Sequence, residues 1–375
     1  MILRKLSRMD YPLLVVLCAL VAIGTAAVYT ATVDTKLDGL HYSNLKMFAA
    51  FCLPMLIVAC MDYRVLTGKL AFISYGIGLL LLVAVKVQGE VINGAVRWIV
   101  IKDFQFQPSE FVKLSTILMA TYLLQRRGGE KLRLLRDVLP IGLVFLIPTY
   151  LIYDQPDLGT ALVFVGMFAG MIWIGNLKTI HLLVSGAILT GTIWLGYWML
   201  QTEHALLKVV IKPHQMDRIL TFLNPGSGGD TGWHVANALR AIAVGGSFGD
   251  DGYYLKNGFI PYAYSDSIYV AIAENYGFVA SAIMLLLFYF MVYRMVLTVL
   301  ESRDLAGSYL VVGLISMIVF QVFVNIGMHI GLLPLTGLSL PFISYGGSSL
   351  FVNMIAVGIV LSVGIHRSKG AEAPN

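Results

Sequence analysis

Charge is what this sequence has least of. Only 13% of its 375 residues are Asp, Glu, Lys or Arg, against roughly 25% in soluble domains. Length alone would allow two or three soluble domains, but no stretch of soluble composition is long enough to be one. Cysteine is scarce as well. Cys18, Cys52 and Cys60 all sit in apolar runs, where an inert buried thiol is the ordinary state, and they build neither a disulfide framework nor a CxxC pair. The seven histidines show no HExxH or other tight ligand spacing, so no metal centre made by the protein alone is expected. Despite a net charge of +5 there is no basic run interleaved with aromatics, which argues against nucleic acid as a partner. No internal repeat is evident, which weakens a transporter built from inverted repeats.

What fills the chain is apolar sequence: 58% of residues are hydrophobic and the mean hydropathy is +0.80. A membrane-spanning helix needs about 20 mostly apolar residues, leaving room for roughly ten spans. The runs at 11–31, 45–60, 69–87, 108–125, 138–153, 158–175, 180–200, 267–293, 306–328 and 345–365 are the candidates. The expectation is therefore an all-α integral membrane protein of about ten transmembrane helices, folded as a single domain over residues 1–375. Basic residues crowd one set of short loops, including Arg4, Lys5, Arg8, Arg64, Arg126, Arg127, Lys131, Arg133, Arg136, Lys178, Arg294, Arg303, Arg367 and Lys369. The opposite set, around Lys36, Arg97 and Lys102, is sparser, so the positive-inside rule puts both termini in the cytoplasm. The first apolar run follows a basic start but is too long for a signal-peptide core, and reads as an uncleaved span.

One large extracytoplasmic loop, about residues 201–266, then precedes the eighth helix. It is too long for an idle connector. Within it GSGGDTGWH is turn material, VANALRAIAVGG has the pattern of an amphipathic helix lying in the interface, and Trp233, Tyr253, Tyr254, Tyr262 and Tyr264 suit an interfacial aromatic belt.

Polar residues that do not belong in lipid recur at this same outer side. In RWIVIKDFQFQPSEFVK, Pro108 suits a first helical turn, and Glu110 and Lys113 lie three apart on one helical face. They form either a structural ion pair or part of a polar cavity wall. In YDQPDLGT, Pro156 and Gly159 force a reversal and Asp157 is placed to cap the next helix. Asp266 stands where a polar loop becomes an apolar helix, as a cap or as a functional acid, with Glu274 two turns along on a similar face. The run NIGMHIGLLPLTGLSLPFISYGGSS, residues 325–349, breaks what would otherwise be continuous span. Such backbone is tolerated at membrane depth only where protein or a wet cavity covers it. Together these features describe an outward-facing cleft.

The strings FQPSEFVK, QPDLGT, SDSIYVAIAENYG and LPLTGLSLPFISYGGSS, in this order, resemble the SEDS family of shape, elongation, division and sporulation proteins. The short tails are similar to its rod-shape branch, RodA, ahead of the division branch, FtsW. The resemblance implies a peptidoglycan glycosyltransferase of the bacterial cytoplasmic membrane, with its site facing outward, that polymerises lipid II and releases polyprenyl diphosphate. It implies a class B penicillin-binding protein as partner. The family's essential acid falls on Asp266, and Arg97, Trp98, Gln107, Glu110, Lys113, Asp157, Arg218 and Ser344 are the expected substrate-binding positions. Where the family carries an acid and a His before the essential Asp and an aromatic after it, this chain has Tyr262, Tyr264 and Ser267.

On that resemblance, Asp266 is the general base on the acceptor 4-hydroxyl. The leaving pyrophosphate is neutralised by Lys113, Arg97 or Arg218, or by a divalent cation such as Mg2+. Two other classes fit the same composition: a lipid II flippase or transporter using Glu110 and Lys113 as gate charges, and a non-catalytic scaffold for a penicillin-binding protein.

Overall fold

Every run expected to span meets a helix. In chain order the helices are α1 (Tyr11–Thr32), α2 (Leu40–Cys60), α3 (Lys69–Gln88), α4 (Pro108–Gln125), α5 (Leu139–Asp154), α6 (Leu158–Ile174), α7 (Thr179–Gln201), α8 (Pro213–Leu223), α9 (Asp230–Val244), α10 (Ile268–Glu301), α11 (Leu305–His329) and α12 (Gly347–His366). The protein was analysed as a computed structural model, which describes residue 5 and residues 7–92, 95–101, 104–202, 213–224 and 230–366. The GSGG turn and the basic residues Arg4, Lys102, Arg367 and Lys369 lie outside that set. Among the described residues, seven helices are long and apolar enough to cross a membrane: α1, α2, α3, α5 with the π-helical turn Leu134–Val138 before it, α10, α11 and α12. α6 is a shorter apolar helix.

Local chemistry sets several helix starts. Asp10, Asp157 and Asp304 each accept a hydrogen bond from a backbone N–H in the first turn of α1, α6 and α11, offsetting donors that a helix start leaves unpaired. α4 contains Glu110 and Lys113 and is the polar exception among the spans, yet it is buried on nearly every side. It lies in the middle of the bundle, against α3, α11, α5 and α12. α12 runs along α2, where Gly358 lets the backbones close: a Cβ there would stand 2.6 Å from the carbonyl oxygen of Met55.

The all-α expectation needs one correction. Residues 90–106 form a three-stranded antiparallel sheet, β1 (Glu90–Ile92), β2 (Ala95–Ile101) and β3 (Phe104–Phe106), in the order β1-β2-β3. Ile99 stands opposite Phe106 and Val100 opposite Gln105. The segment VRWIVI is β-branched and aromatic, which suits a pleated surface, and it is too short to cross a membrane.

A second correction concerns Glu274. α10 is 34 residues long and breaks at Gly277, whose φ of 73° is outside the helical region. The strand of chain after α9 fills the break. Phe278 N–H donates to Gly246 O at 2.9 Å, Val279 N–H to Ser247 O at 3.1 Å, and Asp250 N–H to Glu274 O at 2.8 Å. The buried Glu274 carboxylate accepts from Tyr254 N–H (2.6 Å) and Leu255 N–H (3.2 Å), capping the turn Tyr253–Lys256. It does not share a face with Asp266, because Asp266 precedes the helix and the helical period does not reach it. α9 likewise buries Ala238 and Ala241 against Ile260, Ala263 and Val270, so its apolar side is used within the protein.

The ends of the bundle differ in character. At one end Arg294 donates twice to Asp10 (2.9 and 3.1 Å), Tyr63 Oη donates to Asp304 at 2.9 Å, and Ser362 Oγ donates to the Met61 carbonyl. These ties join the start of α1 to the end of α10, and the segment after α2 to the start of α11 and the end of α12. The opposite end carries the sheet, α8, α9 and the broken backbone between α11 and α12. Gly277→Ala is expected to cost about 1–3 kcal/mol in backbone strain, plus the clash of a Cβ 2.5 Å from Gly249 N. A lowered unfolding temperature of the detergent-solubilised protein, with new protease cleavage at residues 245–255, checks this.

Candidate active site

The sheet end holds a polar cavity of about 470 Å³. Its wall takes Arg97 and Trp98 from β2, Gln107 and Glu110 from the start of α4, and Asp157 and Thr160 from the start of α6. Arg218 comes from α8, Tyr262, Ser265 and Asp266 from the loop before α10, and Thr336, Gly337, Leu338, Ser339, Tyr345, Gly346 and Ser349 from the run before and into α12. Seven of the nine positions picked from the sequence therefore meet in one hollow.

The other two stand behind it. Lys113 is 0% exposed and donates to Glu110 Oε1 at 2.9 Å. It holds the carboxylate from below and does not reach the cavity, so it is not a free cation for a ligand. Glu110 Oε2 is buried without a hydrogen-bond partner, in a residue that lines the cavity. Ser344 donates to the Ser265 carbonyl at 2.6 Å and accepts from Leu340 N–H at 2.8 Å. Its hydroxyl is spent on backbone, which makes it a support for the Asp266 loop and not part of the lining.

Asp157 serves twice, as the cap of α6 and as an anchor in the wall. Its Oδ1 accepts from Thr160 N–H (3.1 Å), its Oδ2 from Gln107 Nε2 (3.3 Å), and Arg97 Nη1 lies 3.9 Å away. Arg97 also donates to the carbonyls of Gln155 and Pro156. Ser348 ties the wall on the other side, accepting from Gln107 N–H at 3.1 Å and donating to Gln105 O at 2.9 Å.

Asp266 does not cap α10. The cap position belongs to Ser267, which makes no side-chain capping bond, and the Asp266 carboxylate accepts from Ser265 Oγ at 3.2 Å. Burial pushes its pKa above the usual carboxylate range, while Ser265, nearby backbone N–H groups and Arg218 pull it down less strongly. For Arg218, burial and the Arg97 charge lower the pKa, with Asp157 and Asp266 opposing. Two guanidiniums sharing a partly dry hollow make a place for an anion.

Asn325, in the interior of α11, is the residue whose role the sequence did not reveal. Its Nδ2 donates to Asp266 O (2.8 Å) and to Leu338 O (2.6 Å) and so joins the two loops that close the cavity. The available signal was an amide in an otherwise apolar helix. Tyr262, expected in an interfacial belt, lines the cavity and holds a positive φ of 52°, a conformation costing about 1–3 kcal/mol that tends to occur at functional sites. Tyr264 instead packs edge-on against Tyr345.

With this geometry in view, the chain was compared with known proteins. Residues 10–369 match the FtsW, RodA and SpoVE family of cell cycle proteins. The chain belongs to that family. It is 34% identical over 373 residues to stage V sporulation protein E of Bacillus subtilis strain 168, covering 96% of this chain and 98% of the relative. It is 29% identical to the peptidoglycan glycosyltransferase RodA of Treponema pallidum strain Nichols over 96% of this chain and 98% of that one. A chain in a solved structure of a peptidoglycan synthase complex, described as coordinating polymerization and crosslinking, superposes with a TM-score of 0.81 at 31% identity, over 96% of this chain and 99% of that one.

Removing the cation beneath Glu110 leaves a buried carboxylate uncompensated. Lys113→Met is expected to cost about 3–5 kcal/mol, and Glu110→Gln combined with Lys113→Met less than the single change. Unfolding midpoints of the two purified variants in one detergent check the order.

Proposed function

We propose that this chain is a peptidoglycan glycosyltransferase that joins lipid II into β-1,4 glycan strands at the outer face of the bacterial cytoplasmic membrane. The observation that carries this reading is the single hollow in which a desolvated carboxylate, Asp266, faces the guanidiniums of Arg97 and Arg218. The chain crosses the membrane about ten times with both termini in the cytoplasm. That topology is supported by the ten long apolar or buried helices, and by basic residues such as Arg64 and Arg294 at the end away from the cavity.

Transfer from an α-linked diphosphate donor to a β-linked product inverts the anomeric carbon, so one direct displacement suffices. The acceptor 4-hydroxyl oxygen forms its bond to that carbon as the bond to the diphosphate oxygen breaks. The hydroxyl proton passes to Asp266, and the bonding pair leaves with the polyprenyl diphosphate. A carboxyl raised above its usual range is the stronger base, and positioned base catalysis contributes typically about 10²–10⁴-fold. Arg97 and Arg218 oppose the charge that builds on the leaving group. Trp98 and Tyr262 offer the sugar rings flat apolar faces.

A divalent cation such as Mg2+ fits the same hollow. Mg2+ is commonly held by one or two carboxylates together with substrate phosphates, and among the described residues no cluster of three or more metal-ligating side chains exists to cage it alone. Glu110, with its unpartnered Oε2, would hold it, adding positive charge at the diphosphate and leaving Asp266 to take the proton. A class B penicillin-binding protein is the partner that would supply crosslinking, a reading supported by the likeness in fold to a chain of the synthase complex that coordinates polymerization and crosslinking. A flippase needs polar lining through the whole membrane depth, whereas the described polar cavity occupies the sheet end.

Asp266→Asn is expected to lower lipid II polymerisation by detergent-solubilised protein at least about 100-fold; polymer at the parental rate would end the assignment. In the parental enzyme the base form is lost as pH falls through the raised pKa. The acid limb of kcat/KM should therefore have its midpoint above the ordinary aspartate value of about 3.9, read from a pH–rate profile.

A further inference from the structure

Arg218 borders two cavities, not one. Beside the polar hollow lies a second cavity of about 290 Å³, walled by Phe222 of α8, Val235 and Leu239 of α9, and Met328, Ile330 and Leu333 at the end of α11 and beyond, with Arg218 at its inner end. The extended chain after α11 is the partition. Ile330, Gly331 and residues 333–335 line the second cavity, while residues 336–339 line the polar hollow. Arg218 Nη1 donates to Leu335 O at 2.9 Å, on the partition itself. A cation is thus fixed between the polar hollow and a second cavity walled mainly by apolar side chains.

That pairing matches an amphiphile with an anionic head and a hydrocarbon tail. The apolar cavity is small for a whole ligand, since such sites usually run to about 300–1,000 Å³, but it suits a short length of chain. Its far wall leads outward. Ile330 also lines an apolar groove of about 360 Å³ on the flank of α10 and α11, where Phe323 and Leu332 are exposed.

We propose that the cavity behind Arg218 holds the first isoprene units of the donor lipid, whose diphosphate rests on Arg218 in the polar hollow. This rests on the glycosyltransferase reading and deepens it by assigning the donor a side. The donor enters beneath α8 and α9, whose Phe222, Val235 and Leu239 wall the second cavity.

The test uses full-length Asp266→Asn protein in lipid nanodiscs, so that ligands bind without turnover. The probes are inorganic diphosphate and prenyl diphosphates of increasing length, from one isoprene unit to three. Affinity is expected to rise at least about tenfold along this series as apolar surface is buried. In Leu239→Trp and in Val235→Phe, each of which fills the cavity, that rise should shrink to the part due to partition into the disc. Inorganic diphosphate should bind both filled variants as it binds the parent, which also reports that they are folded, and should bind Arg218→Ala at least about tenfold more weakly. A chain-length rise that survives both fillings overturns the tail pocket while leaving the glycosyltransferase reading intact. Loss of diphosphate binding in both filled variants overturns it too, since pocket and arginine would then be a single site. Failure of inorganic diphosphate to bind the parent at all would instead count against the underlying reading.

Discussion

Four hydrogen bonds tie two pieces of non-helical backbone together, two directly between them and two through Asn325 of α11. Asn325 Nδ2 reaches both Asp266 O and Leu338 O, Ser344 Oγ reaches Ser265 O, and Tyr345 N–H donates to Tyr264 O at 3.0 Å. Backbone that leaves the helix near a membrane must find internal partners, because an unpaired group there costs several kcal/mol. Here the partners are the two loops themselves. The same bonds that make irregular chain tolerable also fix the carboxylate's main chain, so the site and its stability have a common cause.

Charge follows a comparable economy. Each acid in the hollow is tied differently: Glu110 to the buried Lys113, Asp157 to Gln107, Thr160 and Arg97, and Asp266 only to a serine hydroxyl and local backbone. A carboxylate accepting strong bonds is a poor base, and one left desolvated is a better one. The three acids thus separate into two structural ones and one free to take a proton. Glu274, equally acidic in sequence, is consumed at the helix break, where it anchors the turn Tyr253–Lys256 at the sheet end.

Much of this was legible beforehand because apolar length and loop charge are coarse signals. The runs at 11–31 and 306–328 became α1 and α11 almost residue for residue. Asp157 was readable as a cap because Pro and Gly around it force a reversal, and the wall residues because charge in lipid is costly wherever it occurs. The missing parts depended on partners distant in sequence. Nothing local says that Ser344 bonds to a carbonyl 79 residues away or that Asn325 reaches across to residue 266, whereas the three-residue spacing of Glu110 and Lys113 already allowed their ion pair. β2 was hidden for a different reason: in so apolar a chain, alternation of Val, Trp and Ile carries little contrast. The Glu274 error came from extending a helical period backward past Ser267, where the helix had not begun.

The central claim is that the sheet-end hollow is where transfer occurs, with Asp266 at the acceptor oxygen and the two arginines at the leaving group. The most direct measurement is an experimental structure of the Asp266→Asn protein with lipid II bound. The account predicts the diphosphate between Arg97 and Arg218, and a sugar hydroxyl about 2.6–3.2 Å from the side chain of residue 266. A lipid-linked sugar seated elsewhere, with that hollow empty of diphosphate, would contradict it.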